Sequence, residues 1–194
     1  MVSSAVTVPQ QAQTHTMWLR LVQLSLAVGI AAVVVFAAVG MLFTTISEGA
    51  FRYTADYWYT GAGVPIALAG IGLTLGVHKL QDGADGRLGT IGLWVNTLAL
   101  TELCVQLLSS VVVGAELRWG PMYVVCSFLT FLGVALLAAG SWRTRLLPKW
   151  MLGVWPVLWI LGTFAGTGPM SLLLVVYLAL FGVTVTRRVK GRAV

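Results

Sequence analysis

The sequence predicts an all-α polytopic membrane helix bundle with six transmembrane helices and with both termini in the cytoplasm. Hydrophobic residues make up 58% of the 194 residues and charged residues only 9%, whereas soluble globular chains carry about 25% charged residues. The charges gather in short groups that separate apolar stretches. Each apolar stretch approaches the roughly 20 residues that an α-helix needs to cross the hydrocarbon layer.

Six predicted spans follow one another along the chain. They cover approximately residues 18–44, 62–80, 90–113, 121–140, 149–166 and 169–186. The last two are inferred from one apolar segment, because the stretch from Trp150 to Thr186 is too long for a single crossing. Pro169 is suited to the first turn of a new helix. Two spans joined by a tight hairpin are therefore expected, with a re-entrant fifth segment as the alternative.

Basic residues set the predicted orientation, because positively charged loops remain on the cytoplasmic side. Six spans place ten of the twelve basic residues on that side, whereas five spans would move the C-terminal RRVKGR outside. We therefore expect a disordered cytoplasmic tail over residues 1–16, one transmembrane domain over 17–187 and a basic cytoplasmic tail over 188–194. The predicted location is the plasma membrane, as a multi-pass protein of bacterial type.

Several classes of function are disfavoured by composition and by missing motifs. The net charge of +6 is spread over short loops, which are too small to form a nucleic-acid-binding face. Cys104 and Cys126 fall within apolar stretches and are expected to be unpaired. The sequence contains no HExxH or GxSxG motif, no phosphate-binding glycine-rich loop and no histidine pair suited to haem. No metal and no cofactor are predicted.

The loop between the first two spans is the largest predicted segment outside the membrane on the non-cytoplasmic side. Glu48, Arg52 and Asp56 recur every four residues, so a helix over this loop would carry them on one face. The sequence therefore predicts a short surface helix that anchors the first hairpin. A lid over a ligand site is the alternative, and Asp56 is then a candidate second catalytic acid.

Glu102 is the main candidate functional residue, since it lies near the middle of the third predicted span. A carboxylate at this depth costs about 2.5 to 3.5 kcal/mol on insertion scales. Desolvation disfavours the charged form, so the sequence predicts a protonated, uncharged Glu102. Gln106 and Ser109 share its helix face, whereas Asn96 lies about 120° away. His78 is predicted to be a lone residue near the cytoplasmic end of its helix.

Aromatic side chains from three spans are expected to form a ligand-binding wall near Glu102. Together with Gln106, the candidate ligand-binding residues are Trp94, Trp155, Trp159 and Tyr177. Such rings stabilise cations over their faces, and Pro156 is a candidate helix break beside the site.

Three functions are compatible with this pattern, and whether the protein is an enzyme is left open. The first is a helix-bundle binding or accessory protein in which Glu102 holds helices together or docks a basic residue of another subunit. The second is a small proton-coupled transporter of a cationic or amphipathic compound. The third is an enzyme in which Glu102 is the general acid on a lipid or isoprenoid substrate. The expected partners are the lipid bilayer, a small hydrophobic or cationic ligand, and a homo-oligomer or larger membrane complex.

Overall fold

The six predicted apolar stretches form six α-helices in the computed structural model, which describes residues 8–43, 49–117, 121–163 and 169–192. Within these residues the β-type pairing is a single isolated bridge between Ala50 and Ala115, so the all-α prediction is confirmed. The helices are α1 (Val8–Leu42), α2 (Thr54–Lys79), α3 (Gly86–Val113), α4 (Met122–Ser141), α5 (Lys149–Thr163) and α6 (Pro169–Arg192).

Five of these helices are long and apolar enough to cross a membrane, which indicates a multi-pass integral membrane protein. The exception is α5, which has 15 residues and is about 22 Å long at 1.5 Å per residue. This length is shorter than the roughly 30 Å of the hydrocarbon layer. A complete crossing by α5 therefore remains a prediction, as does the side of the membrane on which the termini lie. Pro156 lies inside α5 without interrupting the helix.

The helices form a ring in which each packs against the next along the chain and α6 returns to α1. The interior of this ring is filled by large side chains from several helices. Those with almost no exposure include Val22, Val77, Leu137, Trp155, Leu174 and Phe181. Apolar side chains also cover the outside of the ring, as expected for a bundle whose solvent is lipid.

One end of the ring, which we call the basic end, is formed by the start of α1, the α2–α3 turn, the α4–α5 loop and the end of α6. Contacts that join these segments include His15 with Asp82 and Arg188 with the carbonyl oxygen of Arg145. Basic residues in or beside them are Arg20, Lys79, Arg87, Arg143, Arg145, Lys149, Arg187, Arg188 and Lys190. Arg52 lies at the opposite end, near the Ala50–Ala115 bridge, and Arg118 lies outside the described residues.

The start of α1 differs from the predicted disordered tail, because α1 begins at Val8. Residues 8–16 form its first turns, and residues 1–7 lie outside the described part of the chain. Pro9 occupies the first turn, where its missing N–H removes no intrahelical hydrogen bond. The glutamines and Ala12 that follow are good helix formers. A polar composition therefore does not prevent residues 8–16 from extending α1.

The predicted surface helix between the first two spans is wrong for the residues that the structure describes. Residues 49–53 are not helical, and Glu48 lies outside the described residues. α2 begins at Thr54, eight residues before the predicted second span. The backbone of Tyr53 is extended and the Asp56 side chain caps the helix start, so Asp56 belongs to α2 itself. Arg52 and Asp56 therefore do not share a face of one helix.

Candidate functional site on α3

Glu102 lies at the outer edge of α3, between the face that packs in the ring and the face that points away from it. Leu103 and Gln106 on one side are buried, whereas Thr101 and Val105 on the other are exposed. Glu102 itself is half-buried. By helix rise it is about 24 Å from the start of α3 and about 16 Å from its end, which keeps it deep within the span.

The described partner of the Glu102 carboxyl is Gln106, as their spacing predicts. Gln106 Nε2 donates to Glu102 Oε1 at 3.3 Å, and Gln106 itself is only 2% exposed. Histidine–aspartate pairs join His15 to Asp82 and His78 to Asp85. No cationic side chain in the described part of the chain pairs with Glu102.

The candidate aromatic wall is divided between the inside and the outside of the ring. Trp155, Trp159 and Tyr177 are buried in the interior, whereas Trp94 is 61% exposed on the outer face of α3. Tyr177 donates its hydroxyl to the carbonyl oxygen of Met151 at 2.9 Å.

The buried rings pack mainly with the interior of α5 and α6. The ring centroid of Phe181 lies 5.1 Å from that of Trp155 and 5.9 Å from that of Tyr177. The Trp159 ring reaches α2, since a Cβ atom on Gly70 would lie 2.7 Å from Trp159 Cη2. These rings are core residues, and the described contacts join none of them to the Glu102 carboxyl.

Asp56 lies at the start of α2 and acts there as a helix cap. Its Oδ2 accepts hydrogen bonds from the backbone N–H groups of Arg52 at 2.9 Å and Tyr53 at 3.0 Å. The residue is completely buried. Capping a helix N-terminus satisfies backbone donors that otherwise have no partner. This role accounts for Asp56 without a substrate. The α2 start is level with the end of α3, about 16 Å from Glu102 by helix rise.

A polar contact at the centre of the bundle was not anticipated as part of a site. Asn96 of α3 is fully buried, and its Nδ2 donates to Thr74 Oγ1 of α2 at 3.2 Å. The Thr74 hydroxyl in turn donates to the carbonyl oxygen of Gly70 at 2.9 Å. On the α4 side, a Cβ atom on Gly133 would lie 2.6 Å from the Asn96 backbone nitrogen. Asn96 therefore joins α2 and α3 where α4 approaches closely.

A second polar cluster, at the basic end, was also missed from the sequence. His78 Nδ1 lies 2.6 Å from Asp85 Oδ2, and Gln81 Nε2 donates to Ser141 Oγ at 2.9 Å. The signal in the sequence is the short QDGADG turn, which contains Gly83 and Gly86 in positive-φ conformations. Such a turn reverses the chain sharply, so it returns Asp85 to the end of α2 where His78 lies.

Two further features bear on the chemistry of the site. Among the described residues, no group of three or more histidine, cysteine, aspartate or glutamate side chains is placed to hold a metal ion. Cys104 and Cys126 are both buried and unpaired.

Comparison with protein-family models, curated proteins and solved structures finds no match to this chain.

Proposed function

We propose that this integral membrane protein is a binding or accessory subunit that docks a transmembrane helix of a different chain against α3. The docking surface, which we call the Glu102 face, consists of Trp94, Leu98, Thr101, Glu102 and Val105. The observation that supports the proposal is the position of Glu102, which is half-buried at the outer edge of the ring. A side chain at this edge is accessible to a neighbouring helix from the lipid side.

The carboxyl group has more hydrogen-bonding capacity than the described contacts use. One of its oxygens accepts a 3.3 Å bond from Gln106, whereas a carboxyl group offers about four lone-pair positions. Polar groups at membrane depth are costly unless they are paired. A partner helix that brings a donor to this depth would remove part of that cost and would gain the packing of the flanking Leu98 and Val105.

The charge of Glu102 favours a partner helix that carries a lysine or arginine within its span. A lysine or arginine of the partner helix would donate to the carboxyl oxygens and would offset part of their desolvation cost. A second copy of this chain is poorly suited to supply the cation. Its described basic residues lie at the basic end or, for Arg52, at the opposite end of the ring, and none lies at the depth of Glu102.

The transport and enzyme hypotheses receive less support from the same geometry. The interior of the ring is filled by Trp155, Phe181 and their neighbours, and Glu102 lies at its edge. The aromatic faces that would stabilise a cationic ligand or intermediate are packed against one another.

Site-specific photocrosslinking in the native membrane tests this proposal. A photoreactive residue at Leu98, which is 66% exposed, is compared with one at Val176, which is 58% exposed on α6. We expect a discrete adduct from Leu98 and none from Val176. Mass spectrometry of the adduct is expected to identify a transmembrane peptide that contains lysine or arginine.

Two substitutions at Glu102 then separate the hypotheses. Glu102→Leu should lower the adduct yield about fivefold or more, because an intramembrane hydrogen bond contributes about 1 to 2 kcal/mol. Glu102→Gln should give an intermediate yield, since its amide oxygen still accepts a hydrogen bond from the basic side chain but carries no charge. Equal adduct yields from the unsubstituted protein, Glu102→Leu and Glu102→Gln would refute the proposal that a basic helix of another chain docks here. An adduct with a second copy of this chain would refute it as well. Loss of a transport activity in Glu102→Gln would instead favour proton exchange.

A further inference from the structure

The polar cluster at the basic end contains a histidine and an aspartate that are held together within the fold. The Asp85 side chain is completely buried, and the side chain of His78 is 14% exposed. His78 Nδ1 lies 2.6 Å from Asp85 Oδ2. This distance suits an Nδ1–H group that donates to the carboxylate, because a carboxylate oxygen only accepts hydrogen bonds.

The surrounding backbone leaves room for this carboxylate. A Cβ atom on Gly89 would overlap Asp85 Oδ2, and a Cβ atom on Gly140 would lie 2.6 Å from the Asp85 carbonyl oxygen. Glycine on α3 and α4 thus allows the α2–α3 turn to enter the bundle. Nearby, the Gln81 to Ser141 hydrogen bond ties the same turn to the end of α4.

The charged groups on the neighbouring elements do not replace His78 as the partner of Asp85. Lys79 Nζ lies 6.0 Å from the ring centroid of Trp18 on α1, and Asp82 pairs with His15 at 2.8 Å. Arg87 on α3 and Arg143 after α4 are exposed. Among the described residues, His78 is the one side chain within ion-pairing distance of Asp85, and Asp85 Oδ1 is buried without a hydrogen-bond partner there.

We propose that His78 and Asp85 form a proton-accepting dyad at the basic end of the ring, with His78 Nε2 as the atom that takes up the proton. Asp85 is the positioning residue, because it holds the imidazole in the Nδ1–H tautomer. The lone pair of Nε2 then remains available, and the partial exposure of the ring gives water access to it. A carboxylate that orients an imidazole in this way also stabilises the imidazolium that forms.

The step is a simple proton transfer from hydronium at the aqueous surface. A new N–H bond forms at Nε2, water is released, and the net charge of the dyad changes from −1 to zero. Asp85 keeps its charge throughout. The dyad lies at the junction of α2, α3 and α4. Protonation of His78 there converts a pair with a net negative charge into a neutral ion pair.

This dyad is independent of the proposed docking function. Asp85 and Glu102 are separated by 17 positions along the chain, which corresponds to about 25 Å of helix. If no adduct forms at Leu98, the docking proposal fails and the dyad proposal is unaffected. If the histidine NMR refutes the dyad, the docking proposal is unaffected.

The test uses the small number of histidines, since His15 and His78 are the two in the sequence. In a His15→Gln background, ¹⁵N-labelled histidine reports His78 alone by NMR of the full chain in lipid nanodiscs. At high pH we expect a protonated Nδ1 and an unprotonated Nε2. On acidification Nε2 should become protonated while Nδ1 keeps its proton.

Two variants separate an orienting carboxylate from a structural contact. Asp85→Asn should lower the population of the Nδ1–H tautomer several-fold, because the amide also offers donors to the ring. Ser141→Ala breaks the neighbouring contact of Gln81 and should leave the tautomer unchanged. An Nε2–H tautomer in the unsubstituted His78 protein, or an imidazole that stays in one protonation state while the protein remains folded, would refute the dyad.

Discussion

Two carboxylates associated with the same helix have opposite surroundings. Asp85, just before the first residue of α3, is completely buried and lies 2.6 Å from a histidine. Glu102, deeper in the same helix, is half-buried, and among the described residues its hydrogen bond is one of 3.3 Å from a neutral glutamine. The more deeply buried carboxylate therefore has the shorter contact, and its partner is a side chain that can carry a positive charge.

The comparison indicates where each group finds its stabilisation. A buried charge is tolerated when a partner compensates its desolvation, and the fold supplies that partner to Asp85 through the α2–α3 turn. Glu102 receives only part of what it needs from its own chain. This difference supports an internal role for Asp85 and a contact with another molecule for Glu102.

Removal of Asp85 is expected to have the largest effect on stability. Asp85→Ala would leave His78 without its partner and would empty the space over Gly89, which should lower the free energy of unfolding by about 3 to 5 kcal/mol. SDS titration in mixed micelles, followed by circular dichroism, measures this quantity.

The matched control is Asp82, which lies three residues earlier and also pairs with a histidine. Its side chain is 69% exposed, so Asp82→Ala should change the free energy of unfolding by less than about 1 kcal/mol. Equal losses for the two aspartates would contradict the contrast between a buried and an exposed pair.

A methyl group at the α3–α4 contact should have the next largest effect. A Cβ atom on Gly92 would lie 2.5 Å from the backbone nitrogen of Leu137 and 2.6 Å from the carbonyl oxygen of Gly133. Gly92→Ala must therefore separate the helices and should cost about 1 to 3 kcal/mol. Gly153→Ala in α5 is the control, because nothing lies within 4 Å of its Cβ position. The control should be neutral or stabilising, by up to about 1 kcal/mol; destabilisation of both variants by the same amount would contradict the close approach.

Loss of the Thr74 hydroxyl is expected to have an intermediate effect. Thr74→Val removes the acceptor of Asn96 Nδ2 at nearly constant volume, and the unpaired amide should cost about 1 to 2 kcal/mol. Thr101→Val serves as the control, since Thr101 is exposed and its hydroxyl bonds to the carbonyl oxygen of Thr97 within α3. A value for Thr74→Val no larger than that for Thr101→Val in the same titration would show that the α2–α3 contact adds little stability.

The smallest effect on stability is expected at Glu102. Glu102→Gln keeps a hydrogen-bonding side chain beside Gln106 and should change the free energy of unfolding by no more than about 0.5 kcal/mol. The same micelle titration checks this value. A large destabilisation would mean that Glu102 is part of the internal packing, which would remove the contrast with Asp85 and weaken the docking proposal.

Part of the candidate site was predictable because it depends on a single helix. The hydrogen bond from Gln106 to Glu102 follows from the four-residue spacing of the helix. The sequence could not show whether Trp155, Trp159 and Tyr177 pack in the core or line a ligand site. A span that is apolar on all sides gives little indication of which face points into the bundle. The helix-capping role of Asp56 was not predicted, because the predicted second span began at residue 62, whereas α2 begins at Thr54.

The sequence by itself determined the class of fold, the number of helices and most of their bounds. These properties follow from local composition, since an apolar stretch in lipid must satisfy its backbone groups internally as a helix. The tertiary structure alone decided which polar side chains of different helices and turns meet. The pairing of His78 with Asp85 requires a turn with positive-φ glycines and space on two other helices, and the edge position of Glu102 depends on how α3 is rotated against its neighbours. Such contacts depend on the packing of several helices, which no single stretch of sequence encodes.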